Sequence, residues 1–209
     1  NQKIIFGVTN TYNKKTYNSI IVINSQGKIL NKYNKINLVP FGEYIPLEKW
    51  IKKMGFKKIT FGYNSFTKGK YRNVMKINDI KLLPIICYEM IYSGRINIEK
   101  QNFDIIVNLS EDGWFNKSIG THQHFSHSIF RAIEEGKQVV RSTNQGITAS
   151  ILPNGLIHKE NSLLNRGKIH TNAYLLEKST LFSKYGNLIF SLLIVILLVV
   201  QNIFKRIIK

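Results

Sequence analysis

The sequence predicts a layered α/β domain followed by one helix long enough to cross a membrane. Three observations carry this: short apolar runs rich in β-branched residues, one segment with helical periodicity, and a charge-free apolar run near the C-terminus. The 209 residues suffice for one domain with a sizeable core and are too few for two large ones.

In chain order, a strand is expected near Ile4. "SIIVINSQGKIL" then reads as two strands around a turn at 24–27. "LPIIC" and "FDIIVNLS" read as buried strands, although Pro84 belongs at an edge or strand start because it cannot donate to a ladder. A helix is predicted from Gly120 to Glu135, with Phe125, Ile129, Phe130 and Ile133 along one stripe and Gly136 as its stop. "NQGITA" supplies a turn followed by a strand, with Gly146 at unusual dihedrals, and "TASILPNGLIHK" reads as a hairpin turning at Pro153, Asn154 and Gly155.

Residues 186–204, "GNLIFSLLIVILLVVQNIF", carry no charge and present no polar face to water apart from Ser191. Lys205, Arg206 and Lys209 follow, which places the C-terminus on the cytoplasmic side and the preceding domain outside. A hydrophobic N-terminal signal is missing and the row starts at Asn1, so the expectation is the later part of something longer.

Composition excludes some functions. A hydrophobic content of 44% with 20% charged residues is that of a folded chain. Thirty Lys and Arg against twelve Asp and Glu give a net charge of +18, but the lysines are dispersed among Asn and Ile. No stripe of Arg interleaved with aromatics marks a nucleic-acid surface.

Cys87 is the single cysteine, so it forms no intramolecular disulfide. It sits where "LLPIIC" turns into "YEMIYSG", a strand–helix junction that can stabilise a thiolate. Core residue and nucleophile remain equally open on this pattern alone. In "YNKINLVPFGEYIPLE", Lys35 and Glu43 frame an apolar loop; a Lys can hold an oxyanion, and a carboxylate can hold that Lys or move protons. His122, His124 and His127 form H-x-H-x-x-H, but the first two diverge on a helix, so no zinc site is expected and the segment is assigned to anchoring the helix and lining the pocket. Arg131 and Glu134 are spaced to pair. The aromatics Trp50, Phe56, Phe61, Tyr63 and Phe66 read either as core or as an arm with basic flanks resting in a membrane interface.

The stretches "NKINLVPFGEYIPLE", "LPIICYEMIYSG" and "NLSEDGWFNKSIGTHQHFSHSIFRAIEEGKQVVRSTNQGITASILPNG" resemble the carbon–nitrogen hydrolase (nitrilase) family. More narrowly they resemble apolipoprotein N-acyltransferases, membrane enzymes that add the third acyl chain to bacterial lipoproteins. That resemblance implies a four-layer αββα sandwich, incomplete at its N-terminus, over residues 1–183, then a transmembrane helix and basic tail over 184–209. It implies a Glu, Lys and Cys triad, in which Lys35 holds the oxyanion and keeps the thiol activated. Cys87 would take an acyl chain from a membrane phospholipid as a thioester and pass it to the N-terminal amine of an apolipoprotein. Tyr88 would lend its backbone N–H to the oxyanion hole, and Glu43 and Glu89 match further carboxylates close to the site. A monomer in the bacterial inner membrane is implied, its catalytic domain on the periplasmic face, with no cofactor, metal or nucleic acid.

One departure stands out. The family's general-base Glu lies well upstream of the Lys, whereas residues 1–34 hold no Asp or Glu. Two other readings therefore stay open: a nitrilase-type amidase acting on small substrates, and a catalytically silent membrane-anchored remnant.

Overall fold

The structure, a computed structural model, describes residues 2–47, 50, 53, 55, 65–116, 118–161, 167–176 and 179–207. Three antiparallel strands, β1 (Lys3–Tyr12), β2 (Lys15–Asn24) and β3 (Ile29–Asn34), form one sheet. The second sheet runs in sequence order through β4 (Met75–Ile77), β5 (Ile80–Ile86), β6 (Ile105–Glu111), β7 (Gln138–Asn144), β8 (Thr148–Ile151) and β9 (Ile157–Asn161). Its centre, β5–β6–β7, is parallel, and the flanking pairs are antiparallel.

Alternation along the strands builds two cores, because successive side chains point to opposite faces. Ile20 and Val22 of β2 and Tyr33 of β3 meet Leu82, Ile86, Ile105 and Val107 between the sheets. Leu83, Ile85, Ile106, Val139, Ala149 and Ile151 face the other way, onto helix α1 (Gly120–Glu135). Each fully buried Ile or Leu contributes about 1.5–3 kcal/mol. The result is helix on sheet on sheet, part of the expected αββα order. Among the described residues no helix covers the outer face of the three-stranded sheet, where Ile4 is 57% exposed.

Both predicted hairpins form as read. Asn24 Oδ1 accepts from the Gln26 and Lys28 N–H groups, and Gly155 N–H bonds the Leu152 carbonyl. Pro84 is accommodated because β4 pairs with β5 only as far as Leu82, leaving the strand an edge from there on that side. Helix α1 has the predicted bounds, and Gly136 closes it at φ +62° in the left-handed region. Its inward face is only partly the predicted one: Phe125 is buried and Ile129 packs against the core. Thr121, His124, Phe125, Ser128, Arg131, Ala132 and Glu135 are buried, while Phe130 and Ile133 are largely exposed. The sheet end beneath it is polar, so His124 and Ser128 meet Asp112 and Arg141 there while Phe125, Ile129 and Ala132 pack on the apolar core.

Short helix α2 (Leu181–Tyr185) leads into α3 (Leu188–Ile207), a 20-residue helix of ~30 Å. Among the described residues α3 alone is long and apolar enough to cross a membrane, and none of that span is buried against the domain. The base of α3 is tied down. Ser183 Oγ donates to Glu135 Oε2 at 2.6 Å, and Lys100 Nζ donates to the carbonyls of Ser183 and Lys184 at 2.7 and 3.0 Å.

Candidate active site

A cleft of about 890 Å³ opens at the carboxyl ends of β5, β6 and β7, the usual ligand position in open α/β sheets. Lys35, Glu43, Ile86, Cys87, Glu111 and Trp114 are among its lining residues. Lys35 follows β3 directly and is 1% exposed, an expensive place for a cation without a partner. Its Nζ lies 2.8 Å from Glu43 Oε2. Glu43 also accepts from Asn18 Nδ2 at 2.7 Å and from the Val39 N–H at 2.8 Å, so the loop is pinned around the pair.

Cys87 stands where β5 turns into a 3-10 helix, Cys87–Ile91, at φ +47°. A non-glycine residue there costs about 1–3 kcal/mol and persists only where its surroundings hold it. Its Sγ lies 3.8 Å from the Glu111 carbonyl oxygen at the end of β6.

Glu89 sits behind this elbow, fully buried and away from the cleft lining. One oxygen accepts from Tyr33 Oη at 2.7 Å and from the Ile36 and Asn37 N–H groups at 3.1 Å. The other accepts from the Ile86 N–H at 3.0 Å, and Arg72 lies 2.9 Å from the first. Glu89 thereby ties the strand before Cys87 to the loop after Lys35. Burial, then the adjacent Glu89 charge, pushes the Tyr33 phenol far above its usual value. Burial opposes the charge on Arg72, but Glu89 and Tyr33 together outweigh it and raise that guanidinium.

Below the elbow lies a second buried polar group. Along β6 the helix-facing positions are Ile106, Asn108 and Ser110, followed by Asp112; Arg141 comes from β7 and His124 from α1. His124 Nδ1 lies 3.0 Å from Asp112 Oδ1, and His124 Nε2 lies 3.2 Å from the Cys87 carbonyl oxygen. Ser110 Oγ donates to Asp112 Oδ1 at 2.6 Å, and Arg141 donates to Asp112 Oδ2 at 2.5 Å and also to Asn108 Oδ1. Burial pushes the Asp112 carboxyl up, but the bonds from His124 and Ser110 and the Arg141 charge hold it below the usual range. Burial lowers the Arg141 guanidinium despite Asp112. Cys87, Asp112 and His124 bring ligand atoms within 4.8 Å of one another, a spacing compatible with a metal ion. The group does not fit one: the Arg141 guanidinium already contacts both Asp112 and His124 Nδ1, and Nε2 is committed to a backbone carbonyl.

Three of the five site residues named from sequence, Lys35, Glu43 and Cys87, line one cleft. Tyr88 follows in the first turn, its ring edge-on to Tyr92 at 5.5 Å, and Glu89 lies behind the elbow. Arg131 pairs with Glu134 at 2.6 Å as expected, and it also donates to the Met90 carbonyl of the elbow at 3.2 Å. His124 does not line the pocket; it supports the floor from below. Gly146 has no positive φ. Its need for glycine is a close approach, since a Cβ there would come 2.4 Å from Asp112 Oδ2. Sequence reasoning passed over Tyr33, Arg72, Asp112 and Arg141; the alternation Asn108, Ser110, Asp112 at the end of an otherwise apolar strand was the available signal. Of the aromatic cluster, Trp50 is 74% exposed and Phe66 lines the cleft, whereas Phe56, Phe61 and Tyr63 lie outside the described residues.

The carbon–nitrogen hydrolase family model matches residues 1–174. The apolipoprotein N-acyltransferase of Rhodopseudomonas palustris is 35% identical over 193 residues, covering 92% of this chain and 36% of the relative. That of Wigglesworthia glossinidia brevipalpis is 38% identical over 197 residues, covering 88% of this chain and 38% of the relative. The chain thus spans a little over a third of the length of these curated relatives. A CN-hydrolase superfamily protein from Xanthomonas campestris superposes with a TM-score of 0.55 at 16% identity, over 76% of this chain and 58% of that one. The glutamine-dependent NAD+ synthetase of Acinetobacter baumannii gives 0.58 at 20% identity, over 77% of this chain and 29% of that one. These two likenesses show the fold. With the family model spanning most of the sequence and the same architecture in solved members, the chain belongs to the carbon–nitrogen hydrolase family.

Proposed function

We propose that this chain carries the catalytic domain of a phospholipid-dependent apolipoprotein N-acyltransferase. The observation that carries the reading is Cys87, held at φ +47° on a strand–helix elbow in the same cleft as the buried Lys35–Glu43 pair. In the first half-reaction the Cys87 thiolate attacks an ester carbonyl of a membrane phospholipid. The C–S bond forms, the C–O bond breaks, and the departing alkoxide takes up a proton. In the second, the N-terminal amine of the lipoprotein's diacylglyceryl-cysteine attacks the thioester; the C–N bond forms, the C–S bond breaks and the amine proton is lost. The proton lost by the amine balances the one gained by the alkoxide, and the thiolate is regenerated.

Lys35 stabilises the oxyanion of each tetrahedral intermediate, aided by the Tyr88 backbone N–H. Glu43 fixes the Lys35 ammonium, and Glu89 positions both the elbow and the Lys35 loop without touching the reacting atoms. Residues 1–183 form the catalytic domain, and 184–209 the membrane helix and basic tail, with the domain on the periplasmic face of the inner membrane. The enzyme works as a monomer, with the membrane supplying the donor. The similarity to apolipoprotein N-acyltransferases and the apolar helix α3 support this reading over that of an amidase for small substrates.

The test is to incubate the membrane-embedded protein with phospholipid and examine the Cys87 peptide by mass spectrometry. An adduct of one fatty acyl mass, lost with hydroxylamine, is the expected result. A folded protein whose Cys87 stays unmodified would overturn the reading.

A further inference from the structure

The buried group beneath the elbow has a directional consequence. Among the described residues no peptide bond is cis, and in a trans peptide the C=O and the following N–H point in opposite directions. The Cys87 carbonyl turns to His124 Nε2 at 3.2 Å, so the N–H of Tyr88, across the same peptide plane, points away from His124, which does not line the cleft that Cys87 lines. As a first-turn N–H of the 3-10 helix it has no intrahelical acceptor, and among the described residues it meets none outside that helix. The orientation of this one peptide plane therefore decides whether the oxyanion donor is aimed at the reacting carbonyl.

We infer that His124 is a positioning residue whose Nε2–H fixes the Cys87–Tyr88 peptide plane, and that Asp112 and Arg141 hold the imidazole for this task. A carbonyl oxygen only accepts, so Nε2 carries a proton toward the Cys87 carbonyl. The ring cannot swing away. Its Nδ1 lies 3.0 Å from Asp112 Oδ1 and 3.2 Å from the Arg141 guanidinium, and the Phe115 ring lies against it at 5.4 Å. His124, Asp112 and Arg141 are all at most 4% exposed. Burying two full charges and an imidazole is poor value for stability alone, since well-packed apolar residues would serve as well or better. What the arrangement supplies is a fixed direction for one backbone dipole. The Arg131 bond to the Met90 carbonyl pins the far end of the same 3-10 helix, so the elbow is held at both ends by α1.

The inference rests on the acyl-enzyme reading, and the experiment separates the two. In the intact membrane-embedded protein, His124→Gln and His124→Asn are compared. Gln places an amide N–H near the position of Nε2, whereas Asn reaches only the position of Nδ1. Three reagents probe Cys87: a phospholipid, the activated ester p-nitrophenyl butyrate, and iodoacetamide, which alkylates at a saturated carbon and forms no oxyanion.

Loss of one oxyanion donor costs on the order of 10²–10³-fold. The expected result is a loss of that size in acylation of His124→Asn by either ester, with alkylation little changed and acylation largely retained in His124→Gln. Acylation and alkylation falling in parallel in His124→Asn, or equal impairment of Gln and Asn, would overturn the inference. Should the wild type react with the activated ester and not with phospholipid, the donor assignment fails, while the ester-to-alkylation ratio still decides the role of His124.

Discussion

Replacing Glu89 by Gln keeps the shape of a fully buried side chain and removes its charge. Two costs follow from the geometry. Arg72, 1% exposed and 2.9 Å from the carboxylate, is left as an uncompensated buried cation, worth about 3–5 kcal/mol. The new NH2 group must also face donors in place of one oxygen, leaving at least one of the Ile86, Ile36 or Asn37 N–H groups without its acceptor at about 1–3 kcal/mol. Together these reach about 4–8 kcal/mol, a large fraction of the 5–15 kcal/mol typical of a domain. For a chain of this size that corresponds to a fall in Tm on the order of 10–30 °C. Intrinsic fluorescence of Trp50 and Trp114, followed through a thermal melt in detergent, reads the shift. The double variant with Arg72→Met should recover about 3 kcal/mol relative to Glu89→Gln alone, because it removes the orphaned charge. A melt within ~2 °C of wild type for Glu89→Gln would refute the assignment of Glu89 as the hub that holds the elbow.

Cys87→Gly relieves a left-handed conformation and should raise stability by about 1 kcal/mol in denaturant titration while abolishing acylation. Gly146→Ala drives a Cβ against Asp112 and should cost about 1–3 kcal/mol, with acylation reduced further through the displaced His124; an unperturbed variant would remove the close-approach argument. The Asp112 carboxyl is held below its ordinary 3.8, so the stability it contributes is fully present above that value and lost as pH falls through the lower folded value. Asp112→Asn should therefore be about 3–5 kcal/mol less stable at neutral pH, where Arg141 is left unpaired. That gap should narrow as pH drops below 3.8 in acid denaturation, and a gap that stayed constant would contradict the network.

Elements with one dominant local signal were legible in the sequence. The hairpin ending at Asn161, the helix stopped by Gly136 and the apolar α3 each announce themselves through a turn residue, a period or a run. The β1–β2 hairpin was less plain, since polar Asn, Thr and Lys residues fill its turn end and Asn13 and Lys14 take positive φ without a glycine. Strand β4 is three residues long and has no pattern of its own. In the site, Cys87, Lys35 and Glu43 were singled out through the family resemblance of the stretches that carry them, and the three line one cleft. Tyr33, Arg72, Asp112 and Arg141 were not, because each acquires its role through burial against partners on other elements: Tyr33 and Arg72 meet at Glu89, and Arg141 meets Asp112. The inward face of α1 was read only in part, with Phe125 and Ile129 on the core and Phe130 and Ile133 off it, for a related reason. Hydrophobic periodicity finds a helix's apolar stripe, and here a polar sheet end also recruits His124 and Ser128, while Arg131 turns to the Met90 carbonyl.

The central claim is that one thioester on Cys87 links two half-reactions. Protein loaded with an isotopically labelled acyl chain from phospholipid, freed of excess donor, and chased with a diacylglyceryl-cysteine peptide measures this directly. The label should leave Cys87 and appear as an amide on the peptide's N-terminal amine, at a rate that rises with peptide concentration. Label that departs only to water, or that never resides on Cys87 while the peptide is still acylated, would contradict it.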